Sequence, residues 1–128
     1  MVIKFNFPDS VPKDQIDTDF IQGMLNRMAF GFHNYGHARR KHDRPQNVKN
    51  VRLRLKKYRE TGNTEWLIDA ANFAMMEFMV PAHPRAHFRA TTSDESPGSV
   101  VSGRVIRGKH ELKLPTGIHA PRRQREGD

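Results

Sequence analysis

Residues 63–79, NTEWLIDAANFAMMEFM, constrain the chain more than any other stretch. Trp66, Leu67, Ile68, Phe73, Met75, Met76, Phe78 and Met79 put apolar surface in nearly every direction around one helix. Such a segment reads as a buried helix, so the chain must supply other helices or partners to cover it. Glu65, Asp69 and Asn72 interrupt it. At about 100° per residue, Glu65, Asp69, Asn72 and Met76 fall at about 0°, 40°, −20° and 20°, one stripe about 60° wide. Glu77 falls off that stripe, at about 120°. Two readings are open. The stripe can be a solvated face, with Glu65 a first-turn partner of the helix dipole. Alternatively it can face a pocket between helices, where unpaired carboxylates would need a metal, an Arg or Lys, or a substrate.

Two further helices are predicted. Asp17, Thr18 and Asp19 offer an N-cap to a helix over 18–35, whose apolar series is Ile21, Met24, Leu25, Met28, Phe32 and Tyr35, with Gly36 as its stop. Asn47 can cap a helix over 47–61, with an apolar stripe of Val48, Val51, Leu55 and Tyr58 and with Gly62 closing it. Asn63 or Thr64 starts the third, 64–80, and Pro81 ends it. The expected organisation is an extended arm at 1–15, a helical domain at 16–84 and a flexible basic tail at 85–128, with a short strand at Ser99–Ile106. The fold class is all-α. Three helices make a small core, so completion of a bundle by homo-oligomerisation is expected.

Charge narrows the partners. The net charge is +8, from 22 Lys+Arg and 14 Asp+Glu. Segment 39–60 is strongly basic, whereas 61–84 holds only acidic charges. A basic segment attracts nucleic acid, a nucleotide or an acidic partner, or serves solubility. The run RLRLKKYR invites a nucleic-acid reading, but no aromatic residues interleave with its charges as a stacking platform would require. There is no cysteine, which excludes disulfides, thiolate zinc sites and a cysteine nucleophile. His33 and His37 are one turn apart, yet no third ligand of suitable spacing accompanies them. No Gly-rich phosphate loop or GxSxG is present, and nothing supports a Ser/His/Asp triad. No apolar run approaches the roughly 18 residues of a membrane span, and MVIKFNFPDS has no signal-peptide character. A cytoplasmic location without a membrane partner is the expectation.

Candidate site residues follow from chemistry. Carboxylates one helical turn apart are how helical bundles hold Mg²⁺, with phosphate oxygens completing the shell. On that ground Glu65 and Asp69 are the candidate metal and catalytic pair. A nucleobase needs amide donors and acceptors and an aromatic face. On the first helix Gln22 and Asn26, with Asn34, Tyr35 and His37 at its end, supply these types. The other reading is that Gln22 and Asn26 are surface residues and Tyr35 is core. Arg52 and Lys56 are the candidate phosphate partners.

FIQGMLNRMAFGFHNYG, RLRLKKYRETGNTEWLIDAANFAMMEFM and HFRATTSDESPGS together resemble a family of small proteins of actinobacteria and their phages that carries no assigned activity. That likeness covers about residues 5–100, with NTEWLIDAANFAMMEFM and SDESPG its most specific parts. More distantly, a helix ending in Tyr-Gly, a basic helix, and a helix with D-x-x-N and an aromatic are similar to the MazG-like all-α nucleotide pyrophosphohydrolases. The nearest branches are the nucleotide-modification-associated and dATP/dGTP-diphosphohydrolase types of phages. The resemblance implies an oligomeric helical bundle and Mg²⁺-dependent cleavage of a nucleoside triphosphate to monophosphate and pyrophosphate. It would place Asp69, Glu65 and Asn72 on the metal or nucleotide side, and Tyr35 at the end of the pocket. The chain departs from the MazG pattern of EExxE followed by ExxD. Its second helix has Glu60 as its only carboxylate, its third has ExxxD, and Asn34 stands where Lys often precedes Tyr-Gly. The competing expectations are a small regulatory module binding nucleic acid or a host protein through 39–60, and a purely structural protein.

Overall fold

The computed structural model describes residues 2–106; residues 107–128 of the expected basic tail lie outside the described residues. The regular structure of the described chain is mainly helical: α1 (Thr18–Tyr35), α2 (Asn47–Thr61) and α3 (Glu65–Met79), followed by a two-stranded antiparallel hairpin of β1 (Ser99–Val101) and β2 (Arg104–Ile106). The chain divides into two compact units. One is Lys13–Ala86, which holds all three helices; the other joins, among the described residues, 2–12 to 87–106.

Local chemistry sets the helix ends. Asp17 caps α1, its Oδ1 accepting from the Phe20 N–H at 2.9 Å. Gly36, at φ 89°, leaves the helix while its N–H still bonds the Phe32 carbonyl. Gly62 ends α2 in the left-handed region at φ 75°, which a residue with a Cβ adopts at a cost. Asn63 caps α3, accepting from the Glu65 N–H at 3.0 Å, whereas Thr64 makes no side-chain cap. Asn47 does not cap α2. It is the first helical residue and is buried, with its amide toward Glu77 on α3. Glu77 in turn accepts from the Ala82 N–H at 2.8 Å, which secures the chain as it leaves α3.

In the helical unit α3 is central. It packs against both α1 and α2, which do not approach each other. The inward face of α1 is not the expected series. Phe20, Gly23, Met24, Arg27, Met28 and Gly31 turn inward, whereas Ile21, Leu25, Phe32 and Tyr35 are exposed. Gly23 fits this choice: a Cβ there would come within 2.7 Å of Ile68 Cδ1, so the close approach of α1 to α3 at this point needs a glycine. The inward face of α2 also differs from the expected stripe. Asn47, Asn50, Val51 and Arg54 face α3, while Val48 and Leu55 are exposed. Among the described residues no large side chain is fully buried, and Ala70 is the one buried apolar residue. In the other unit, the expected strand at Ser99–Ile106 is a hairpin of two strands. Ser102 (φ 49°) and Gly103 (φ 81°) form a two-residue turn with both φ positive, which reverses the chain in the sense that matches strand twist.

Candidate functional site

Because α1 and α2 flank α3 without meeting, a space remains between them over one side of α3. It forms a cavity of about 560 Å³, within the range of small-ligand sites. Its walls come from the C-terminal half of α1, the loop 36–45, α2 and α3. The polar stripe of α3 faces this space. Asp69, Asn72 and Met76 line it, together with Phe73; Glu65, at the helix start, does not and is exposed.

Arg27 answers the question of what an apolar helix does with its carboxylates. Its Nε lies 3.2 Å from Asp69 Oδ1 and 3.6 Å from Glu65 Oε1. The Asp69 side chain is 13 % exposed, so the ion pair is partly desolvated on that side. The guanidinium also stands over the Phe30 ring at 5.0 Å. Arg27 was not among the sequence candidates, although a signal existed. It is the only cation between Lys13 and Arg39, and α3 carries acidic charge with no base.

Across the cavity, Arg54 is half-buried. Its guanidinium lies 4.5 Å from the centre of the Phe73 ring and bonds Asn50 Oδ1, and its Nε is buried without a hydrogen-bond partner. Periodicity missed Arg54 because it assigned the inward stripe of α2 by apolar residues alone. Asn72 is 4 % exposed. Its Nδ2 donates to the Met24 carbonyl at 3.1 Å, which fixes the orientation of the amide, because a carbonyl can only accept. Oδ1 is therefore left over, buried and unpartnered.

Tyr35, Asp69 and Asn72 are brought together at this cavity, with Tyr35 on its exposed rim. Asn26, Arg52 and Lys56 are not. Asn26 is exposed on another face of α1, where its Oδ1 accepts from Gln22 Nε2 at 2.9 Å. Arg52 and Lys56 are on the outer face of α2. Of the cations in the cavity wall, Arg40 is bonded to the His37 and Asp43 carbonyls and Arg39 is exposed.

The pair expected to hold Mg²⁺, Glu65 and Asp69, is bridged by Arg27, and no group of three potential ligands gathers among the described residues. As placed, these carboxylates fit the guanidinium. A divalent ion at Asp69 Oδ1 would compete with that guanidinium. No helix among the described residues is long and apolar enough to cross a membrane. No protein-family model, curated protein or solved structure matches the chain.

Proposed function

We propose that the helical unit binds a nucleotide in the cavity between α1, α2 and α3. The observation that carries this reading is Asn72: a buried carboxamide in the cavity wall whose Oδ1 has no partner. Leaving such an atom unsatisfied costs about 1–3 kcal/mol, and a ligand N–H would remove that cost once the amide, whose Oδ1 is enclosed while Nδ2 holds Met24, turned that oxygen into the cavity. The Watson–Crick edge of each nucleobase offers an N–H. Phe73 and Tyr35 supply aromatic faces for the ring, and Arg54 supplies cationic charge for phosphate. In the same reading the helical unit pairs with a second copy, which would cover the apolar residues it leaves exposed.

The finer proposal is the one implied by the MazG-like resemblance, cleavage of a bound triphosphate to monophosphate and pyrophosphate. It requires Asp69 to exchange Arg27 for Mg²⁺. Pyrophosphate release with Mg²⁺ or Mn²⁺, lost in Asp69→Asn, would support that step; its absence would leave a binding protein.

Binding is tested by calorimetric titration of the full chain with the common NTPs and dNTPs, with and without Mg²⁺. Gly31→Leu is the companion variant. A Cβ at Gly31 meets no atom within 4 Å, and Gly31 lines the cavity, so a larger side chain can fill the space without straining α1. The expected result is binding by the unaltered chain and at least about a tenfold loss in Gly31→Leu with helicity retained. No nucleotide binding at millimolar concentration, or full binding in Gly31→Leu, would overturn the assignment.

A further inference from the structure

We propose that the outer face of α2 is a second binding surface, separate from the cavity, that takes the phosphate backbone of duplex nucleic acid. Lys49, Arg52, Lys56 and Arg59 fall within about 80° of arc, opposite the face that packs on α3. All four are exposed, and none is in an ion pair among the described residues; the one carboxylate on α2, Glu60, is with Lys57 at 4.0 Å. Elsewhere in this unit a structural role for a cation comes with a partner, as Arg27 has Asp69 and Arg54 has Asn50 and Phe73. Four unpaired like charges on one helix face repel one another, and a line of phosphates turns that repulsion into attraction with release of counterions.

The shape of the stripe selects the polyanion. From Lys49 to Arg59 it runs about 15 Å along the axis, enough to span a B-DNA major groove about 12 Å wide and meet phosphates on both rims. The stripe holds no aromatic residue on which the bases of a single strand would stack. A membrane-surface helix would set apolar residues at the centre of its buried face with cations at the edges. Here the order is reversed: Leu53 and Leu55, both exposed, lie at opposite edges, and the four cations, with Glu60 beside Lys49, lie between them.

The test is fluorescence anisotropy of the full chain with a labelled duplex of about 20 base pairs between about 50 and 200 mM salt, where each phosphate contact adds about 0.9 to the slope of log K against log salt. The comparison is the quadruple variant Lys49→Ala, Arg52→Ala, Lys56→Ala, Arg59→Ala, with helicity checked by circular dichroism and Lys57→Ala as the control. The expected result is a slope smaller by about 3.6 in the quadruple variant, about 0.9 for each of the four cations, and unchanged in Lys57→Ala. Four single Ala variants, each lowering the slope by about 1, carry the same expectation should the quadruple variant lose helicity. No duplex binding at the lowest salt would overturn the proposal. So would a slope unaltered by the substitutions, or equal binding of polyglutamate, of a single strand or of phosphatidylserine vesicles.

Discussion

Asn72 sets stability against binding at a single residue. Replacing a buried amide that has one unsatisfied atom by an apolar group of adequate size removes a desolvation penalty, while the lost bond to Met24 is worth only about 0.5–1.5 kcal/mol. Asn72→Leu is therefore expected to melt at the same temperature as the parent or higher, and to bind nucleotide at least about tenfold more weakly. A lower melting temperature in that variant would mark Asn72 as structural. Arg27 makes the opposite case. Arg27→Met leaves the Asp69 carboxylate, which is mostly enclosed, without its cation, and about 1–2 kcal/mol of stability should go, less than for a fully buried pair because Arg27 is 40 % exposed. Adding Asp69→Leu to it should restore most of that loss, because the cost lies in the stranded charge. Urea denaturation of the two single variants and the double variant gives the coupling directly.

For the elements, their limits were legible in the sequence and their faces were not. Asp17, Gly36, Gly62 and Pro81 act on the backbone within a turn of themselves, so they mark where a helix starts or stops whatever lies beside it. Which side of a helix turns inward depends on the neighbour. On α1 the large residues Ile21, Leu25 and Phe32 are exposed and the side holding Gly23 faces α3, where the missing Cβ makes room for Ile68. On α2 two Asn and an Arg face α3, and no hydrophobicity pattern would select them. The same holds for the site. Asp69 and Asn72 could be named from their stripe, but Arg27 and Arg54 became visible only when two other helices were set against it.

The segment before the hairpin has its own pH response. Arg89 donates from Nη1 to Glu95 Oε1 at 3.1 Å, and the Thr92 N–H donates to the same oxygen at 3.2 Å. Chiefly because of the Arg89 hydrogen bonds, with the Thr92 backbone bond next, the Glu95 carboxyl is lowered from 4.5 to about 2. A depressed carboxyl pKa contributes stability above its unfolded value. That contribution should be complete above about pH 4.5 and lost as pH falls toward about 2. The carboxyl carbon of Glu95, followed by NMR, should titrate near 2, and in Arg89→Gln nearer its ordinary value. Titration near 4.5 in the parent would show that the pair does not hold in solution.

For the whole molecule, the helical unit has few fully buried side chains and several exposed large ones, among them Leu25, Phe32 and Phe78. Such a unit is short of the burial that stabilises a single domain. Light scattering after gel filtration should return a multiple of 14.8 kDa at tens of micromolar, with a melting temperature that rises with concentration. A monomer with a concentration-independent melting temperature would show that three helices suffice. By itself the sequence determined the number, order and limits of the helices, the basic character of α2 and the acidic character of α3, because those depend on residues near one another along the chain. Only the tertiary structure decided that α3 lies between its neighbours, that Arg27 bridges Glu65 and Asp69, and that Asn72, beside the cavity, keeps a buried oxygen without a partner among the described residues. Those features depend on which faces meet, and a close approach at one glycine settles that more strongly than the count of apolar residues on either side.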